Sequence, residues 1–131
     1  MAHAIVEWTD NLEGEADIHG LLALIATAMR EKADGVFPIG GIRVRGIKLT
    51  DYVIADDSGQ DAFVNITVKM GAGRPAEFKQ RFFSALFDEV KAHFADLYAR
   101  RYLALSLYVE EADEAGSFKQ NNLHPRFKKE A

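Results

Sequence analysis

The chain has 131 residues, 48% of them hydrophobic and 27% charged, with a formal net charge of −4. That length suits one compact domain with a real core, and the acidic balance argues against general nucleic-acid binding, since neutralising phosphates needs a basic excess. The absence of cysteine removes disulfides, thiolate catalysis and cysteine-ligated zinc together.

The first element begins almost at the first residue. Residues 4–8, AIVEW, are rich in β-formers and predict a strand. Free chain ends usually fray, so one reason to fix this one would be that the terminal amine is a working group. No basic segment followed by an apolar one opens the chain, so no secretory signal is read. The longest apolar run, LLALIATAM, is too short to span a bilayer. The expectation is a cytoplasmic protein without a membrane partner.

TDNLEGEAD follows as a loop, and Asp17 is placed to cap a helix over 17–32. That helix sets Ile18, Leu21, Leu22, Ile25 and Met29 on one stripe, and Asp34-Gly35 ends it. VFPIGG is turn material, because Pro38 lacks a donor and the glycine pair permits unusual backbone angles. IRVRGIKL, 42–49, predicts a second strand, and DDSGQD a break.

The order then repeats. AFVNITVK, 62–69, alternates Ala62, Val64, Ile66 and Val68 against Phe63, Asn65, Thr67 and Lys69. MGAGR turns the chain, and Pro75 suits the first position of a helix. The helix predicted over 75–98 carries Phe78, Phe82, Leu86, Val90, Phe94 and Leu97 along one stripe. YLALSLYVE, 102–110, alternates again, with Leu103, Leu105, Leu107 and Val109 inward. FKQNNLHPRF in the tail reads as a short strand or an arm.

Strand–helix–strand thus occurs twice. The fold class expected is α+β: two βαβ units, each a right-handed crossover, forming a four-stranded sheet with two helices on one face. The domain is one, 1–131, with a pseudo-repeat of 1–59 and 60–115 and a C-terminal tail 116–131. Two helices cover one face only, yet the other carries Phe63, Tyr102, Tyr108 and either Ile5 or Trp8. Such a face wants a cover, which an oligomer would supply.

Few residues offer chemistry. Arg43 and Arg45 lie two apart on one strand and so share a face. They read either as a carboxylate-binding pair, since guanidinium forks match carboxylates, or as an exposed edge with Glu or Asp partners. In GAGRP, Gly71 and Gly73 permit a tight turn and Arg74 precedes a helix start, where an anion is favoured; an ordinary strand-to-helix turn reads the same way. No phosphate-loop pattern is present. His3, His19, His93 and His124 show no metal spacing, so no metal is expected. Ser84 and Ser106 lack a nucleophile-elbow context, and EEADEA, 110–115, reads as a solvated connection.

Taken together, HAIVEWTDN, GVFPIGGIRVR, DAFVNITVKMGAGR, HFADLYARRYLALSL and FKQNNLH resemble the 5-carboxymethyl-2-hydroxymuconate Δ-isomerase family of the tautomerase superfamily, nearly end to end. The resemblance implies a homotrimer with an active site near each N-terminus. It implies a role in aromatic catabolism, in the homoprotocatechuate branch. The implied reaction is a cofactor-free proton shift in an unsaturated keto or enol di- or tricarboxylate. In the family, removal of the initiator methionine exposes an N-terminal proline, whose amine moves the proton while arginines hold the carboxylates. By matched position the site residues are Ala2, Arg43 and Arg74, with Arg45 a further candidate. This chain has Ala2 where the family has proline, and Asn65 where histidine is expected. Alanine also permits methionine removal, which would leave a primary amine able to act as a base. Two other readings fit the same residues: a non-enzymatic trimer binding an anionic metabolite or a protein, and a ferredoxin-like regulatory trimer.

Overall fold

Alternation along the strands sorts their side chains onto two faces, and only one face is covered. The computed structural model describes residues 1–127. In chain order these form β1 (Ala2–Thr9), α1 (Ile18–Glu31), β2 (Ile42–Leu49), β3 (Ala62–Gly71), α2 (Ala76–His93), α3 (Ala95–Arg100) and β4 (Leu103–Ala112). The sheet order is β2-β1-β3-β4. β1 runs parallel to β2, β3 runs parallel to β4, and β1 meets β3 antiparallel. This is the α+β architecture expected, with two strand–helix–strand units joined through their first strands. No described helix is long and apolar enough to cross a membrane.

The core lies between the sheet and the helices. Ala2, Ala4 and Val6 of β1 are buried with Val64, Ile66 and Val68 of β3. From α1 come Leu21, Ile25 and Met29, and from α2 Phe78, Phe82, Leu86 and Val90. Each fully buried aliphatic or aromatic side chain contributes about 1.5–3 kcal/mol from removal of apolar area from water. Trp8 packs against this core, in phase with Ala4 and Val6, so Ile5 is the residue on the open face. On β4 only Leu103 is buried; Leu105, Leu107 and Val109 are half-buried, because β4 is an edge strand.

Local chemistry sets the ends of the helices. Asp17 caps α1, its Oδ1 accepting the Gly20 N–H at 2.9 Å. Asp34 and Gly35, with φ of 52° and 75°, turn the chain after it. Pro75 stands one residue ahead of α2, in extended geometry (φ −61°, ψ 145°), rather than inside its first turn. The single helix predicted over 75–98 is divided at Phe94 (φ −103°, ψ 10°) into α2 and α3. Both Phe94 and Leu97 remain buried across that break.

Two features build the end of the sheet where β1 starts. Phe37 packs on Phe82 and Phe78, with ring centroids 5.5 and 6.1 Å away, which fixes the segment leading into β2. The tail forms an arm, not a strand. After β4 it turns at Glu114–Gly116 and ends in a short helical turn at His124–Phe127. Asn121 Nδ2 donates to the Gly40 carbonyl at 2.8 Å. The last four residues of the 116–131 tail lie outside the described residues.

Candidate active site at the start of the first strand

Pairing of β1 with β2 sets His3 opposite Arg43 and Ile5 opposite Arg45, on the face away from the helices. Arg43 is half-buried. Its Nη1 donates to the Gly41 carbonyl at 3.1 Å and lies 3.1 Å from the Met1 sulfur. Arg74 arrives from the β3–α2 turn, also half-buried, its Nη2 donating to the Val36 carbonyl at 3.3 Å. A Cβ on Gly71 would lie 3.3 Å from Arg74 Nη1, so the glycine leaves the guanidinium its place. Among the described residues neither arginine forms an ion pair with Asp or Glu. A guanidinium without an acidic partner can take an anion, and a carboxylate fits its fork geometry.

Arg45 takes a different partner. It is exposed, and its Nη1 sits 3.0 Å from His3 Nδ1. A guanidinium only donates, so His3 Nδ1 accepts and the ring carries its proton on Nε2. Burial, then Arg45 and Arg43, push the His3 pKa down from its ordinary value. β2 is an edge strand and Arg45 is exposed on it, but neither Arg43 nor Arg45 forms an ion pair with Asp or Glu among the described residues.

A terminal amine stands among these cations. Burial, then Lys119, Arg74 and Arg43, lower the pKa of the Met1 amine from its ordinary 8.0. Each cation disfavours adding a proton, and so does desolvation. Ala2 is the first residue of β1 and is 3% exposed; with Met1 attached, its nitrogen is a peptide nitrogen. Met1 and Lys119 together line two hollows of about 230 and 240 Å³. The first also includes His3, Lys69 and Gly71, and the second Pro38, Asn121 and His124.

The remaining candidates fall elsewhere. His93 Nε2 donates to the Asp17 carbonyl at 2.8 Å and so ties α2 to the start of α1. Ser106 donates to Asn65 Oδ1 at 2.6 Å on the open face, and Ser84 is exposed on α2. No three of His, Asp and Glu are gathered as metal ligands among the described residues. Lys119 carries no signal in the sequence. It belongs to a tail without periodicity, and only the arm's return across the sheet end brings it to Met1.

Residues 2–127 match the family model described as 5-carboxymethyl-2-hydroxymuconate isomerase. The chain is 43% identical over 128 residues to a 5-carboxymethyl-2-hydroxymuconate Delta-isomerase from Escherichia coli, covering 98% of this chain and all of that protein. It is also similar to a solved 5-carboxymethyl-2-hydroxymuconate isomerase from Deinococcus radiodurans R1. That structure has a TM-score of 0.90 and 42% identity, over 98% of this chain and 95% of that one. A fused 4-OT wild type symmetric trimer shares the fold at 17% identity, with a TM-score of 0.59 over 90% of this chain and 93% of that one.

Proposed function

Because the chain belongs to the 5-carboxymethyl-2-hydroxymuconate isomerase family, we propose that it moves a proton within an unsaturated keto or enol di- or tricarboxylate, using its terminal amine as base. The observation that carries the reading is the placement of the chain's first residues beside two arginines that have no acidic partner among the described residues, where burial and these cations lower the pKa of the Met1 amine. Removal of Met1 leaves Ala2 as the first residue and takes away a wall common to two hollows. The Met1 sulfur also vacates Arg43 Nη1, which is then free for a carboxylate.

The step balances without a cofactor. The neutral amine takes a proton from carbon in a keto substrate, or from the hydroxyl in an enol one, and the electron pair moves into the conjugated system as a dienolate. Arg43 and Arg74 meet the carboxylates and the charge that develops on oxygen. The ammonium then returns the proton to a carbon at another position. A primary amine has the basicity for this, and the burial and cations that lower the pKa of the Met1 amine act in the same direction on an amine one residue on. The open sheet face, bearing Ile47, Tyr108 and Phe63, is read as the contact between subunits of a homotrimer. The biological setting assigned is aromatic catabolism, at the homoprotocatechuate branch.

The test is turnover of 2-hydroxymuconate and its 5-carboxymethyl derivative by purified protein whose N-terminus is verified by mass. Conversion well above the buffer rate is expected. A buffer-level rate together with measurable carboxylate binding would favour the non-enzymatic reading, which the replacement of the family's proline by Ala2 keeps in view. In that case Ala2→Pro should create activity where none existed.

A further inference from the structure

The arm carries a cation that the two-arginine site does not use. Lys119 is exposed and, with Met1, is common to both hollows. It forms no ion pair with Asp or Glu among the described residues, and neither does Lys69 across the hollow of about 230 Å³. The arm is fixed two residues further on, where Asn121 Nδ2 donates to the Gly40 carbonyl at 2.8 Å. Lys119 is thus delivered to the terminus by an anchored segment. Four cations, Arg43, Arg74, Lys69 and Lys119, gather near one terminus of a chain whose net charge is −4. A single carboxylate can meet the guanidiniums and still leave the ammonium without a counter-charge. A lysine is a mobile point charge with three donors, suited to an acid group whose position varies.

Resting on the reading of the site given above, the geometry points to Lys119 as a specificity-determining residue: its ammonium pairs with a second carboxylate of the substrate, so the arm selects enol acids bearing two or more carboxylates over those bearing one. The arginines hold the first carboxylate and the developing charge; Lys119 reads the remainder of the molecule.

The test compares two unreactive probes of equal chain length, cis,cis-muconate with two carboxylates and sorbate with one. Affinities are measured calorimetrically on the wild type, Lys119→Met and Lys119→Arg. Lys119→Met should weaken muconate binding by about tenfold or more, the scale of a lost charge-assisted hydrogen bond, while sorbate binding changes by less than about twofold. Lys119→Arg should restore most of the loss. Equal losses for both probes, no loss for either, or no preference of the wild type for muconate overturns the proposal. Because Lys119 is exposed, folding is not at stake, and matching thermal unfolding verifies this. The probes do not react, so the proposal is separable from the isomerase reading. The selective loss of muconate without turnover of 2-hydroxymuconate would uphold Lys119 and sink the isomerase.

Discussion

At the scale of single residues, charge decides the site. Desolvation and three cations act in one direction on the Met1 amine: each raises the free energy of the protonated form and lowers the pKa. If this environment acts on the catalytic amine, kcat/KM rises with pH through one titration whose midpoint lies below the ordinary 8.0. Removing a neighbouring cation relieves repulsion on the ammonium, so Arg74→Ala should shift that midpoint upward. The same change removes a donor from the developing oxyanion, and losses of about 10²–10³ in kcat are typical for such donors. Arg43→Ala should lose activity on the same scale. Both are half-buried without acidic partners among the described residues, so circular dichroism should show the fold intact. A pH–rate profile whose midpoint stays put in Arg74→Ala would separate the base from this amine.

At the scale of elements, the arm and the β2 turn form one unit. A Cβ on Gly40 would lie 2.8 Å from the Cα and backbone nitrogen of His124. Backbone cannot yield as a side-chain tip does, so Gly40→Ala should displace the arm. The expected cost is about 1–3 kcal/mol, the range for overpacking, read by denaturant unfolding, with weaker substrate binding alongside. The elements themselves were largely legible in the sequence. Period-two alternation over 62–69 and the Phe78–Leu97 stripe anticipate β3 and the long helix, because each records burial of one face. What the pattern hides is backbone geometry within an unbroken stripe. The apolar spacing continues through Phe94, so the division into α2 and α3 leaves no mark in residue type. Trp8 was ambiguous because alternation in AIVEW is imperfect; pairing with β2 and β3 settles its face. Arg43 and Arg74 were nameable from motif and resemblance, whereas Lys119 was not. Its place depends on a long-range return of the tail, fixed by the Asn121–Gly40 hydrogen bond and the packing of His124 on Gly40, which no local pattern encodes.

At the scale of the whole molecule, one face of the sheet is left uncovered by the described residues. Tyr108 is 64% exposed and Ile47 43% exposed, both on that face. A trimer that packs these faces together would sediment at three times the chain mass. Charges there should break it, so Tyr108→Glu combined with Ile47→Glu should yield monomers in analytical ultracentrifugation; a wild-type monomer would contradict the assembly. The chemistry proposed in turn depends on the state of the first residue. With Met1 attached, the Ala2 nitrogen is an amide and the Met1 sulfur lies on Arg43. The most direct measurement is therefore kcat/KM for 2-hydroxymuconate on two preparations of identical sequence, one lacking Met1 and one retaining it through inhibited methionine removal, each verified by intact mass. A positioned base is worth about 10²–10⁴-fold, so the Met1-free protein should be faster by about 10² or more, and mixtures should follow its fraction. Equal rates in the two preparations would contradict a base at Ala2.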